Sequence, residues 1–309
     1  MGQLSTMAHD ADIEHGNEGD WLDKPVPLPI ATAAGSGTTL EHAAVSEQGP
    51  ARRTHEDTVT HSIPDDPDLL DQKGALFVIA DGVGGHGGGD IASREAAKVL
   101  SAQYYQSNAL PERALKGAMG ETNLHVYDLG IEMRHPLLST TLSAIAIVGS
   151  RFHMVHIGDS RIYRLRENTD IEQLTEDHSE AAELVRMQIV RPENLRTHPR
   201  RHVVTRSIGS EAVARPMAKS GNVQAGDYFV LCTDGLWEFI QDSEISEIVR
   251  FQPVDQACRE LVDLTLTRSP TDNITVQVVH VLSVDEEPIK AQGQGGFYRA
   301  VMRLFGSDE

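Results

Sequence analysis

Two rhythms of apolar residues alternate along the chain, and each predicts its own kind of element. Residues 76–80 are apolar without a break, and most of 228–233 is too. Runs this short and continuous predict strands covered on both faces. Residues 141–148, 152–157, 161–165 and 274–282 predict further strands, and 38–46 alternates as a short strand does. Helical spacing is carried by Ile91, Ala92, Ala96, Val99 and Leu100, and again by Leu115, Ala118, Met119, Thr122 and Val126. It returns over 254–266 with Val254, Ala257, Cys258, Leu261 and Val262, while 179–200 reads as a helix followed by a loop. Gly149-Ser150 and Gly158-Asp159-Ser160 are turns too short to join parallel strands, so 141–165 predicts an antiparallel meander.

Strands therefore come in groups and helices in pairs. Strict strand–helix alternation is absent, which points to an α+β architecture of antiparallel sheets with helices packed outside. Residues 1–35 are polar, acidic and rich in Gly, Pro and Ala, and predict a disordered arm. Residues 36–284 predict one domain. Residues 285–309 predict a linker and a short amphipathic helix with Phe297, Val301, Leu304 and Phe305 on one side.

Composition narrows the function. Of the 309 residues, 39% are hydrophobic, enough for a substantial core, and the net charge is −19. That charge argues against nucleic acid as a partner, because phosphate backbones are bound by Lys and Arg. It is compatible with carboxylates gathered around cations. Cys232 and Cys258 stand outside any Cys/His metal spacing and read as small core residues in a reducing compartment. No stretch reaches the roughly 18–20 apolar residues of a membrane span. The start of the chain lacks a basic-then-apolar signal, so a cytoplasmic protein is expected.

The chemistry centres on aspartates at strand ends. In Ala80-Asp81-Gly82 an apolar strand runs into an aspartate and then a glycine-rich turn. A carboxylate there can ligate a hard cation, and the Gly82 carbonyl can add an oxygen. A phosphate-cradling loop is the rival reading, and it lacks the Gly-Lys-Ser/Thr that would follow. An ordinary glycine-rich turn would look the same taken alone. However, Cys232-Thr233-Asp234-Gly235 repeats the pattern, and Asp272-Asn273 precedes the last strand. Glu56 and Asp57 follow the basic pair Arg52-Arg53. Clustered oxygen donors suit Mg²⁺ or Mn²⁺ rather than zinc. Two such ions about 3.5–4 Å apart can activate a shared water for attack on phosphorus, and an arginine can grip the phosphoryl group. No GxSxG signature or cysteine phosphate loop offers a covalent route.

In this order the segments resemble the metal-dependent protein phosphatase family, also called protein phosphatase 2C, in its bacterial form. The resemblance spans most of the chain. It rests on residues 49–57, 81–86, Ser139-Thr140-Thr141, Gly158-Asp159-Ser160-Arg161, Asp177-His178-Ser179, 205–209, 233–237 and Asp272-Asn273. It implies a four-layer α-β-β-α sandwich with two central antiparallel sheets. It implies a phosphoserine/phosphothreonine phosphatase with two Mg²⁺ or Mn²⁺ ions per active site, in which a water bridging the metals attacks directly. Asp81, Asp234 and Asp272 would hold one ion. Asp81, the Gly82 carbonyl and Glu56, largely through water, would hold the other. Arg52 would bind the substrate phosphate, Asn273 would support the site, and Asp57 would orient its neighbours. The implied partners are phosphoproteins and an opposing Ser/Thr kinase, with the enzyme acting as a monomer.

Several positions depart from the family pattern. His55 replaces an asparagine before Glu56. Val83 stands where some members carry a histidine proposed as general acid, and His86 is a nearby substitute or a solvated turn residue. Residues 134–141 lack the carboxylate that many bacterial members tie to a third ion, so a third site is expected to be weak or absent. Residues 178–206 correspond to the family's flap and hold Arg186, Arg191, Arg196, Arg200, Arg201 and Arg206. They read either as a solvated face or as a lure for acidic peptides. A phosphatase-like domain that binds phosphoproteins without turnover, and a phosphoesterase for small molecules, are the rival functions.

Overall fold

The computed structural model describes residues 31–35, 37–83, 87–135 and 137–284. The chain opens with strands β1 (Ala31–Gly35), β2 (Thr38–Glu47) and β3 (Asp57–Ser62), helix α1 (Pro67–Lys73) and strand β4 (Ala75–Val83). Helices α2 (Gly89–Gln106) and α3 (Pro111–Glu132) follow, then β5 (Ser139–Thr140), β6 (Leu142–Val148), β7 (Arg151–Ile157), β8 (Arg161–Leu165) and β9 (Glu172–Gln173). After α4 (Glu180–Arg186) and a 3-10 helix (Pro192–Thr197) come β10 (Met217–Asn222) and β11 (Tyr228–Cys232). Helices α5 (Asp234–Trp237), α6 (Asp242–Phe251) and α7 (Val254–Thr267) lead into β12 (Ile274–Val284).

Two antiparallel sheets result. One runs β1-β2-β12-β11-β8-β9, and the other β10-β7-β6-β4-β3 with β5 paired to β4. Strand alternation assigns each residue to a layer. In β4, Leu76, Val78 and Ala80 pack outward against α2 and α3, whereas Ala75, Phe77 and Ile79 face the other sheet. In β12, Ile274, Val276 and Val278 pack outward against α6 and α7, whereas Val279 and Val281 face inward. Three apolar interfaces therefore separate four layers, helix–sheet–sheet–helix, as the resemblance implied.

Two expectations need correction. The predicted meander breaks after its second strand. β6 and β7 pair in one sheet, but β8 crosses to pair with β11 in the other. The reason lies in Gly158-Asp159-Ser160, a buried corner rather than a hairpin. Gly158 has φ +114°, and a Cβ there would come 2.4 Å from the Thr141 Cβ, so only glycine makes the turn. Just past the corner, the buried Arg161 pairs with Asp177 (2.6 Å) and lies over the Trp237 ring (3.5 Å). The second correction concerns the arm. Its last five residues form β1, which pairs with β2 in register from Ala31↔His42 to Gly35↔Thr38. Pairing satisfies backbone groups that β2 would otherwise leave open on that edge. Residues 1–30 and 285–309, including the expected amphipathic helix, lie outside the described residues.

Candidate metal centre and active-site cleft

A cleft of about 220 Å³ opens where both sheets end, and Arg52, Asp81, Gly82, Asp234 and Asp272 all line it. Asp81 and Gly82 belong to the last turn-ward residues of β4, and Asp57 at the start of β3 faces Asp81 across the ladder. Asp234 opens α5 directly after β11, and Asp272-Asn273 immediately precede β12. The loop between β2 and β3 delivers Arg52 and the buried Glu56.

Hydrogen bonds fix this loop to β12. The Asn273 side-chain amide donates to the carbonyls of Gln48 (2.7 Å) and Thr54 (3.2 Å). Its Oδ1 accepts the Glu56 backbone N–H at 2.8 Å. Asp57 accepts hydroxyl bonds from Thr233 (2.9 Å) and Thr275 (2.6 Å), which are themselves backbone-paired at the ends of β11 and β12. His55 joins this network, because its Nε2 lies 3.0 Å from the Ser46 hydroxyl, which in turn meets Thr275 at 2.6 Å.

The carboxylates crowd one another. Asp81 lies in hydrogen-bonding reach of both Asp57 and Asp234. Burial, then repulsion from Asp57 and Asp234, pushes Asp81 well above the usual carboxylate range. Burial raises Asp57 and Asp234 as well, and Asp272 adds to it. Two buried oxygens, Asp57 Oδ1 and Asp234 Oδ1, have no hydrogen-bond donor among the described residues. Arg52 pairs with Asp272 and stands 3.9 Å from Glu56. One arginine is too little positive charge for so many converging acids. An all-oxygen donor set with orphaned lone pairs fits hard divalent cations.

The family profile of protein phosphatase 2C matches residues 42–274. The chain belongs to the protein phosphatase 2C family. Among its relatives, the serine/threonine protein phosphatase PstP of Mycobacterium tuberculosis is 32% identical over 263 residues, covering 83% of this chain and 48% of PstP. The chain thus spans about half the length of that relative. Protein phosphatase PhpP of Streptococcus pneumoniae is 30% identical over 254 residues, covering 80% of this chain and all of PhpP. The crystal structure of the PstP catalytic domain with two manganese ions superposes with a TM-score of 0.68 at 29% identity, covering 79% of this chain and 99% of that one.

Other cleft positions of this phosphatase 2C domain sharpen the picture. Val83 lines the cleft and carries no titratable group, while His86 lies outside the described residues. Sequence reasoning assigned no role to three residues that the structure brings here: Asp159, His202 and Glu238. Asp159 sits on the Gly158 corner, fully buried, with its carbonyl accepting the Trp237 indole N–H at 2.9 Å. Glu238 follows Asp234 by four residues, a spacing that puts both on one helix face and was legible in advance. Ligand atoms of His202, Asp234 and Glu238 lie within 4.8 Å of one another. Arg201 and His202 each stand 3.1 Å from Glu238, so its charge is already partly compensated. In the flap, Arg186 lies near Glu183 (3.7 Å), Arg196 near Asp242 (2.5 Å) and Arg200 near Glu180 (2.5 Å).

Proposed function

We propose that this protein hydrolyses phosphoserine and phosphothreonine esters of phosphoproteins, with two Mg²⁺ or Mn²⁺ ions held by Asp81, Asp234, Asp272, Glu56 and the Gly82 carbonyl. The observation that carries the proposal is the convergence of these oxygens with Arg52 in one cleft. Bound cations would supply a water of lowered pKa and neutralise charge on the phosphoryl group. The chain's own residues do the rest. Arg52 has a planar fork that matches a phosphate, and at present it balances Asp272 and Glu56. Occupied metal sites would free it to turn to substrate. Asn273 and Asp57 orient the surrounding residues, and the donor network around each supports that role. Val83 supplies no proton to the leaving alkoxide.

The silent-domain alternative is disfavoured because every assigned ligand is retained. Hydrolysis of p-nitrophenyl phosphate with Mn²⁺, with EDTA and by Asp234→Asn decides between them. Turnover that survives EDTA sinks the metal mechanism, and no turnover with any divalent ion favours the binding domain. A phosphopeptide panel set against nucleotide phosphates tests the substrate class.

We further infer that the enzyme works as a monomer against a Ser/Thr kinase in a reducing, cytoplasmic setting. Both cysteines are buried and free, and burial pushes each thiol up to about 12. The net charge of −19 argues against nucleic acid. Among the described residues no helix is long and apolar enough to cross a membrane. Light scattering at micromolar concentration checks the oligomeric state.

A further inference from the structure

The flap arginines divide into two groups. Arg186, Arg191, Arg196, Arg200 and Arg201 are each within 4 Å of a carboxylate and so are occupied within the fold. Arg206 has no ion-pair partner among the described residues, and the same holds for Arg215. Both are exposed, and both line one concavity of about 360 Å³ together with Ser207, Ser210 and Glu211. In a chain of net charge −19, two unpaired guanidiniums in one pocket are a local reversal of sign. An unpaired surface arginine is ordinary when it stands alone. Two of them lining a pocket beside a phosphoester cleft are not.

The pocket also has a fixed position relative to the metal centre. Val204 lines the cleft, and Thr205, Arg206 and Ser207, next in sequence, line the second pocket. The segment cannot drift, because Ile208 and Thr140 exchange backbone bonds at 2.8 and 3.1 Å. Thr140 is tied in turn to Asp81, whose carbonyl accepts its hydroxyl at 2.8 Å. On the other side, Asn123 of α3 accepts the Gly209 N–H (2.9 Å) and donates to the Glu211 carbonyl (3.0 Å). Arg206 is thus held on a braced loop two residues from Val204 in the wall of the cleft, and Arg215 lines the same pocket from further along the chain. The paired arginines of the flap, by contrast, are engaged with carboxylates of the fold.

We propose that Arg206 and Arg215, with the hydroxyls of Ser207 and Ser210, form an accessory anion subsite. It would receive an acidic side chain or a second phosphoryl group of the same substrate, a few residues from the scissile phosphate. The inference rests on the phosphatase reading above and names the substrate class that reading leaves open. Glu211, which lines the same pocket, opposes anions and limits the affinity.

Three phosphothreonine peptides of one length test this: neutral flanks, glutamate-rich flanks, and a second phosphoserine. The full chain is assayed with Mn²⁺ against Arg206→Gln/Arg215→Gln and Glu211→Gln. For wild type, kcat/KM should favour at least one anionic peptide over the neutral one, and which of the two is favoured identifies carboxylate or phosphate as the occupant. The double variant should lower that preference by about two- to thirtyfold, the range for two exposed ion pairs. Glu211→Gln should raise it. An unchanged ratio in both variants overturns the subsite, as does an equal loss on all three peptides. Anisotropy of labelled peptides with wild type and the double variant reads the subsite without turnover. An inactive wild type that still discriminates in binding defeats the phosphatase reading alone.

Discussion

A Cβ built on Gly235 would stand 1.9 Å from the carbonyl oxygen of Asn273. This contact presses the start of α5 against the start of β12, and so it sets Asp234 beside Asp272. The glycine after Asp234 is therefore a matter of clearance between two backbones, which no side-chain motion can restore. Gly235→Ala should force the two segments apart by more than an ångström. The expected result is at least a tenfold fall in Mn²⁺ affinity by calorimetry, together with a lower Tm. Wild-type metal affinity in this variant would show that the close approach does not set the site.

Asp81 is the most crowded acid of the cleft, with burial and its neighbours' charge both opposing ionisation. Without cations its charge is a liability to the fold. Asp81→Asn keeps the shape, removes one charge, and offers amide protons to Asp57 and Asp234. In EDTA the variant should be more stable than wild type by about 1 kcal/mol or more, the scale of one unit of pKa shift. In Mn²⁺ that order should reverse, and activity should fall by more than about a hundredfold if the charge holds both ions. Urea melts with and without Mn²⁺ read the first part. A variant less stable than wild type in EDTA would refute the repulsion argument.

Three buried histidines make the protein sensitive to acid. Burial lowers His42 to about 4, His156 to about 4 and His178 to about 3. His156 sits neutral between the Ser143 hydroxyl (2.8 Å) and the Glu176 carbonyl (3.1 Å), and His178 Nδ1 accepts the Gly158 N–H at 3.1 Å. Each folded value lies below the unfolded one near 6.5. The unfolded chain therefore binds the extra protons first, and stability is lost as pH falls from about 6.5 toward 4. The raised carboxylates of the cleft act in the opposite sense, so a single-site comparison is cleaner. His42 packs by its ring on His61 (4.3 Å) and Phe77 (5.2 Å), and both of its nitrogens lack hydrogen-bond partners among the described residues. His42→Phe should gain on wild type by up to about 1.4 kcal/mol per pH unit over that window. Parallel stability curves for the two proteins would exclude His42 as a contributor.

What the sequence made legible follows from burial. β4, β6, β11 and β12 are covered on both faces, and their unbroken apolar runs located them within a few residues. β3 and β10 close one sheet at its two edges, and Asp57-Thr58-Val59-Thr60-His61-Ser62 carries too little apolar signal to announce a strand. Helix α6 was missed although it carries Ile245, Ile248 and Val249 at helical spacing and a capping box of Gln241 and Glu244. Asp81 and Asp234 were legible because each stands where an apolar run stops, and Asp272 because it stands just before one begins. Asp159 was not, because its place depends on β8 changing sheets, and short turns do not encode that crossing. His202 was hidden for a different reason: its segment reaches the cleft only through the flap's tertiary packing.

Asn273 and Arg52 sit close together but should fail in different ways. Asn273 bonds Gln48, Thr54 and Glu56 at once, so it positions the whole loop from which Arg52 and Glu56 project. Asn273→Ala leaves the buried Glu56 N–H without an acceptor, a loss of about 1–3 kcal/mol. Both the metal side and the phosphate side of the site should loosen, raising KM and the Mn²⁺ requirement together and lowering Tm. Arg52 is half-buried and acts through its guanidinium alone. Arg52→Ala should raise KM for a phosphopeptide by about tenfold or more, consistent with a lost charge-assisted pair. Its removal also frees Asp272 and Glu56 of their counter-charge, so Mn²⁺ should bind as tightly as in wild type or tighter. Paired Mn²⁺ titrations and phosphopeptide kinetics on the two variants separate these outcomes. Weaker Mn²⁺ binding by Arg52→Ala would make Arg52 a support for the metal ligands rather than a grip on the phosphate.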